Sequence, residues 1–303
     1  MDETAPQTVE AAVAVVGPGA IGATVAAVLH EAGRTPFLAG RTARAELVVD
    51  LGGTEVTVPG PVHTDPVAPT PTADVVFLAV KATQNRAAAP WLAALCGPDT
   101  VVCVLQNGIE QVSTVAPLVP RGRVVPAVVW FPARTRPDGS VELRATPRLT
   151  LPRGTAGVDT VQAALAGTRC TVEAADDFRT LAWRKLLQNA AAGLMVLTGR
   201  RSGMYARDDV GALTLAYLAE AAAVARADGA VLDDDEPGRI LQGFRDSPAD
   251  AGTSILTDRE AGRPLEWSVR NDVLRRRARR YGLPTPIGDV VVPLLAAASD
   301  GPG

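Results

Sequence analysis

Lys81 and Lys185 are the two lysines among 30 basic residues, so arginine fills nearly every other cationic position. The two cations differ chemically. Arginine stays protonated and presents a planar fork, whereas lysine is a compact ammonium whose pKa falls readily on burial, so it can hand a proton to a substrate. Asparagine is nearly as scarce, occurring at Asn85, Asn107, Asn189 and Asn271. Lys185 and Asn189 stand four apart in Trp183-Arg184-Lys185-Leu186-Leu187-Gln188-Asn189, a spacing that places both on one face of a helix. Rarity alone assigns no role; the motifs around these residues must do so.

The first half reads as a dinucleotide-binding domain. Ala11 to Val16 is a short, continuously apolar run, as expected of a strand buried on both faces of a parallel sheet. It leads directly into Gly17-Pro18-Gly19-Ala20-Ile21-Gly22, a GxGxxG turn, and then into an apolar helical stretch closed by Gly33. Each glycine has a reason: Gly17 for the tight turn, Gly19 for backbone approach to a pyrophosphate, Gly22 for helix–strand packing. The diphosphate would sit at the helix N-terminus, where Ala20 and Ile21 offer backbone N–H groups. A second strand is expected near Thr35 to Ala39. An NAD-specific site carries an acid about 20 residues beyond the glycines. Arg41 stands there instead, and an arginine pairs with a 2′-phosphate. The expectation is therefore NADP(H), with Arg44 as further support. Two more strands, Asp74 to Val80 and Thr100 to Leu105, run into Lys81-Ala82-Thr83-Gln84 and Gln106-Asn107-Gly108-Ile109. Ligands in open α/β sheets bind beyond such carboxyl ends, which singles out Lys81 and Asn107. Val124 to Phe131 and Val141 to Leu151 read as strands flanking a hairpin at Pro137-Asp138-Gly139-Ser140.

From Asp176 the pattern turns helical. Asp176 or Asp177 can cap a helix running through Lys185 and Asn189, and further helices are expected over Leu213 to Ala227, Leu265 to Tyr281 and Ile287 to Ala298. The fold class is thus α/β, with an N-terminal Rossmann-type dinucleotide-binding domain over 1–175 and an all-helical substrate and dimerisation domain over 176–303. Residues 1–10 read as a disordered leader. A substrate site is expected in the cleft between the domains.

Composition narrows the function classes. A net charge of −3 gives no general attraction to nucleic acid or to an anionic membrane. The five arginines of Arg275-Arg276-Arg277-Ala278-Arg279-Arg280 would spread around a helix as a solvated face. No apolar run reaches the length of about 18 residues that suggests a membrane span. Cys96, Cys103 and Cys170 show no CxxC spacing and read as buried thiols of a reducing compartment, which together with the lack of a signal peptide points to the cytoplasm. His30 and His63 are too few and too far apart for a histidine-based metal site.

Taken together, Gly17 to Gly22, Lys81-Ala82, Gln106-Asn107-Gly108, Trp183-Arg184-Lys185-Leu186 with Asn189, Ser254-Ile255-Leu256 with Asp258, Arg259-Glu260-Ala261-Gly262-Arg263 with Glu266, and Asn271 resemble the ketopantoate reductase family in order along the chain. The resemblance implies NADPH-dependent reduction of a 2-oxo acid to a 2-hydroxy acid, with Lys185 as general acid and Glu266 holding a substrate hydroxyl and orienting the lysine. It implies Asn107, Asn189 and Ser254 as substrate-binding residues, with Asn107 also a cofactor-binding residue and Lys81 beside the nicotinamide, and it leaves room for a homodimer. The chain departs from the family pattern at Gly193 and at Ala251, where polar groups are common, and at Trp130 and Phe131, where smaller or more polar residues are common. The leading expectation is ketopantoate or a related, bulkier 2-oxo acid, in pantothenate biosynthesis; those changes raise the alternative of a larger or less polar substrate, outside that pathway. A non-catalytic NADP sensor is the alternative of a different class; it would need the glycines and Arg41 but not Lys185 with Glu266.

Overall fold

The computed structural model describes residues 12–68 and 70–300; the expected disordered leader lies outside the described residues. Two compact units emerge. One comprises the described residues up to Gln106 together with Gln111–Asp176; the other joins Asn107–Glu110 to the described residues from Asp177 onward.

The first unit is built of thirteen strands: β1 (Val13–Val16), β2 (Phe37–Ala39), β3 (Glu46–Leu51), β4 (Glu55–Pro59), β5 (Val62–His63), β6 (Ala73–Leu78), β7 (Cys96–Val104), β8 (Arg123–Pro126), β9 (Val128–Val129), β10 (Ala133–Thr135), β11 (Val141–Leu143), β12 (Arg148–Pro152) and β13 (Thr171–Ala175). Its helices include α1 (Ala20–Glu31), α2 (Asn85–Leu95), α3 (Gln111–Val115) and α4 (Val158–Leu165). Six strands form a parallel sheet in the order β5-β2-β1-β6-β7-β8. The α/β class expected from the sequence is the one observed. The chain winds from β1 to β2 on one side and later to β6 on the other, so β1 is the switch point at which such sheets bind ligands. Val16 pairs with Leu78, and Leu78 with Val104, which brings the carboxyl ends of β1, β6 and β7 level.

Alternation along the strands explains the apolar runs. Val13, Val15, Val75, Phe77, Val101 and Cys103 pack on one face, and Ala14, Val16, Val76, Leu78, Val102 and Val104 pack on the other beneath Trp91, Leu92 and Leu95 of α2. Both faces are buried, so neither strand position can be polar. α1 is enclosed more completely than its sequence suggests, with every residue from Gly22 to Leu29 buried. Its second neighbour is a four-stranded sheet, β10-β11-β3-β4, whose Leu47, Val49, Leu51, Val58, Val141 and Leu143 join the same core.

That sheet contains the β3–β4 hairpin at Gly52-Gly53, for which the sequence reading made no provision. The expected strand Val124 to Phe131 is broken at Ala127, β8 staying in the parallel sheet and β9 pairing with β12. The stretch Val141 to Leu151 likewise divides into β11 and β12, in different sheets.

The second unit is helical: α5 (Phe178–Thr198), α6 (Asp208–Ala227), α7 (Glu236–Asp246), α8 (Ser254–Glu260), α9 (Val273–Tyr281) and α10 (Pro286–Ser299), with a wider π-helical turn at Ser268–Asp272 leading into α9. Asp177 caps α5, its carboxylate accepting from the Thr180 N–H at 3.1 Å. α5 lies against α6, α8, α10 and the π turn, which is why its apolar residues surround the axis. α6 is long and apolar enough by composition to cross a membrane, contrary to the expectation that no stretch is; its Tyr217, Leu218, Ala221, Ala222 and Val224 are buried in the helical core. α7 and α8 were not foreseen, and the single helix expected over Leu265 to Tyr281 contains the π turn.

The glycines of the first turn make separable demands. A Cβ at Gly22 would lie 2.4 Å from the Gly17 carbonyl oxygen, whereas one at Gly19 would meet nothing within 4 Å. Gly22→Ala should therefore lower the thermal midpoint by about 5 °C or more, as overpacking by about 1–3 kcal/mol does in a protein of this size. Gly19→Ala should leave it nearly unchanged. Thermal unfolding followed by circular dichroism checks both.

Candidate active site

In the first unit, β1 ends where Gly17 takes a left-handed conformation (φ 88°) that turns the chain into α1. Gly17 and Gly22 are excluded from carrying side chains by the close approach of Val80, Ala79 and each other. The open space over Gly19 is a cradle that a side chain there would fill. α1 opens with no side-chain cap and no acidic residue in its first turn, so Ala20 and Ile21 begin a helix end suited to an anion. Gly40 sits against Pro18, where a Cβ would lie 3.0 Å from the proline ring, so exposed Arg41 emerges beside the glycine turn. The guanidinium of Arg44 donates to the Gly139 carbonyl at 3.0 Å, in the β10–β11 hairpin. These residues fit a dinucleotide cofactor. Lys81 follows β6 at the same edge of the sheet. The buried pair Asn85 and Gln106 ties the segment after β6 to the end of β7, Gln106 Nε2 donating to Asn85 Oδ1 (2.6 Å) and to the Val80 carbonyl (2.9 Å).

The other expected residues meet in the helical unit. Asn189 Nδ2 donates to Asn107 Oδ1 at 3.4 Å, and Asn107 Nδ2 donates to Glu266 Oε2 at 3.2 Å. Arg270, which the sequence reading missed, joins them. It donates to Asn189 Oδ1 at 3.3 Å and to Ser254 Oγ at 2.9 Å, and it lies 3.5 Å from Glu266 Oε2. Burial in this cluster, and secondarily the nearby Arg270 charge, lower the Lys185 ammonium pKa to about 8.

The surrounding fold holds these groups in place. Asn271 Nδ2 donates to the Ala190 carbonyl at 3.0 Å and to Tyr217 Oη at 3.1 Å, pinning the π turn to α5 one residue away from the Arg270–Asn189 contact. Glu266 and Arg270 lie four apart along this segment, the single spacing in the sequence that could have drawn attention to Arg270. The 107–110 segment is clamped by Glu110, whose carboxylate accepts from Arg276 at 2.5 Å. Gly108 has φ 102°, and a Cβ there would lie 3.0 Å from the Val269 carbonyl oxygen, so glycine lets Asn107 come up to Glu266.

Packing accounts for several of the departures noted in the sequence. A Cβ at Gly193 would lie 2.8 Å from Asn271 Nδ2, so that glycine makes room for Asn271. Phe131 is buried in the core of the first unit, and Trp130 donates to Thr150 Oγ1 at 2.8 Å beneath Arg148. The arginine run is not a solvated face: Arg275, Arg276 and Arg277 pair with Asp289, Glu110 and Asp228, leaving Arg279 and Arg280 exposed.

The chain is similar to known proteins over nearly its whole length. Residues 13–155 match the family model described as ketopantoate reductase PanE/ApbA, and residues 177–299 match its C-terminal counterpart. A 2-dehydropantoate 2-reductase of Mycobacterium tuberculosis is 56% identical over 96% of this chain and 99% of its own length. A PanE/ApbA family ketopantoate reductase from Ralstonia eutropha superposes with a TM-score of 0.86 at 28% identity, covering 95% of this chain and 98% of that one. A dimeric ketopantoate reductase from Staphylococcus aureus superposes with a TM-score of 0.85 at 25% identity, over 96% and 100% of the two chains.

The scarcity of lysine makes the shifted ammonium directly observable. Reductive ¹³C-methylation labels Lys81, Lys185 and the α-amino group, and Lys81→Arg assigns the two lysine signals. The Lys185 signal should titrate with a midpoint near 8, charged below and neutral above. A midpoint near the ordinary lysine value of about 10.4 would contradict the burial described.

Proposed function

The chain belongs to the ketopantoate reductase PanE/ApbA family of oxidoreductases, and from that premise we propose that it reduces ketopantoate, a 2-oxo acid, to the 2-hydroxy acid with NADPH. The observation that carries this reading is the meeting of Asn189, Asn107, Ser254 and Glu266 around Arg270, with the pKa of Lys185 lowered beside them. Gly17, Gly19, Ala20, Ile21 and Gly22 would hold the diphosphate, Arg41 the 2′-phosphate, and Lys81 would serve the nicotinamide end. NADPH, when bound, supplies the hydride to the carbonyl carbon.

The chain's own residues supply the rest. As negative charge builds on the carbonyl oxygen, the Lys185 ammonium stabilises it and transfers a proton from Nζ, leaving a neutral amine that is reprotonated from water. A pKa near 8 suits this role, because the group remains mostly charged at neutral pH yet gives up its proton readily. Asn107, Asn189 and Ser254 orient the substrate, and Glu266 accepts from its hydroxyl. A bulkier 2-oxo acid is the second reading, favoured by Ala251 in place of a polar group. A cytoplasmic location follows from the same reading, the three cysteines being free and buried. The protein is also taken as a homodimer, in keeping with exposed Leu213 and Leu215 on α6 and Val290 and Leu294 on α10.

Oxidation of NADPH and NADH by the purified protein, against ketopantoate and a graded series of bulkier 2-oxo acids, tests the proposal. Ketopantoate with NADPH should give the highest kcat/KM. Arg41→Gln should raise KM for NADPH about 10-fold or more, the value of a charge-assisted hydrogen bond, and leave that for NADH unchanged. Preference for NADH, or turnover of bulkier acids alone, would overturn the corresponding part.

A further inference from the structure

Arg270 is 2% exposed, yet its Nε has no hydrogen-bond partner, and the side chains that its guanidinium adjoins, Asn189, Ser254 and Glu266, are all assigned above to substrate binding or catalysis. A guanidinium can only donate hydrogen bonds, and a carboxylate can only accept them. Two asparagine amides, each able to face either way, are strung between these fixed ends. Because Arg270 must donate, Asn189 presents Oδ1 to it and turns Nδ2 toward Asn107 (3.4 Å). Because Glu266 must accept, Asn107 presents Nδ2 to it (3.2 Å) and Oδ1 to Asn189. The same logic applies to Ser254. Its Oγ accepts from Arg270 at 2.9 Å, so the hydroxyl proton is directed elsewhere, and Ser254 is exposed. Asp258, the buried acid one turn further along α8, faces Arg263 at 3.8 Å.

Building on the 2-oxo acid reading, we propose that Arg270 is a positioning residue that fixes the donor direction of this network and makes Ser254 the donor to the substrate carboxylate. A hydroxyl whose oxygen already accepts from a buried cation is a stronger donor to an anion, since charge-assisted hydrogen bonds are about twice as strong as neutral ones. Arg270 thus acts on the carboxylate through Ser254 and on the amides through Asn189, without itself touching the reacting atoms.

The test compares ketopantoate with its primary amide, which keeps the 2-oxo group but lacks the charge, in wild type, Arg270→Gln, Arg270→Lys and Ser254→Ala. Arg270→Gln should reduce kcat/KM for the acid about 10–100-fold, mainly through KM, and shrink the preference for acid over amide by a similar factor. Arg270→Lys should retain part of that preference. A purely structural role would depress acid and amide alike, and that result would overturn the inference. Should Arg270→Gln fail to fold, Ser254→Ala decides the matter, because this exposed residue should lose the same preference; an unchanged preference there would also overturn it. Wild type that reduces neither compound would instead overturn the reductase reading itself.

Discussion

The buried pair Glu266 and Arg270 is the constraint on which the helical unit's chemistry depends. Each is taken out of water, and each would be costly alone: removing one member of such a pair typically costs about 3–5 kcal/mol. The geometry between them is loose for an ion pair, at 3.5 Å, and neutral groups help to satisfy both charges. Asn107 donates to Glu266, and Asn189 and Ser254 accept from Arg270. Residues expected to bind substrate are therefore also the residues that solvate the pair. That dual use makes the site rigid before any ligand arrives, and it places a cation near Lys185 that helps lower its pKa.

The first unit achieves its rigidity by the opposite means, through close packing of small residues. α1 is buried along most of its length, which Ala23, Ala26 and Ala27 permit by letting sheets approach from two sides. Gly22 brings the first turn of α1 against Gly17, and level strand ends put the glycine turn and Lys81 at one edge of the sheet. The glycine turn and its backbone donors are thus held by the packing of the core rather than by side-chain hydrogen bonds.

Much of this was legible in the sequence, for identifiable reasons. Strands buried on both faces read as continuous apolar runs, and the glycine turn has a fixed place between strand and helix. Lys185 and Asn189 stood out because lysine and asparagine are rare here. The β3–β4 hairpin was not legible, because Glu46–Leu51 is short and partly exposed and its partner β11 lies about ninety residues away in sequence. Arg270 was hidden by composition: in a chain rich in arginine, its spacing of four from Glu266 is a weak mark for the one that is buried in a polar cluster. Gly193 misled for a related reason. Read alone it is a missing polar group, while the structure shows Asn271 filling that space from another segment.

The central claim is that the Lys185 ammonium protonates the substrate carbonyl. Single-turnover reduction of ketopantoate by NADPH-saturated Lys185→Ala, with the NADPH dissociation constant measured in parallel, tests it most directly. The expected result is a rate lower by about 10²–10⁴-fold with cofactor binding unchanged. A variant that turns over at the wild-type rate would contradict it.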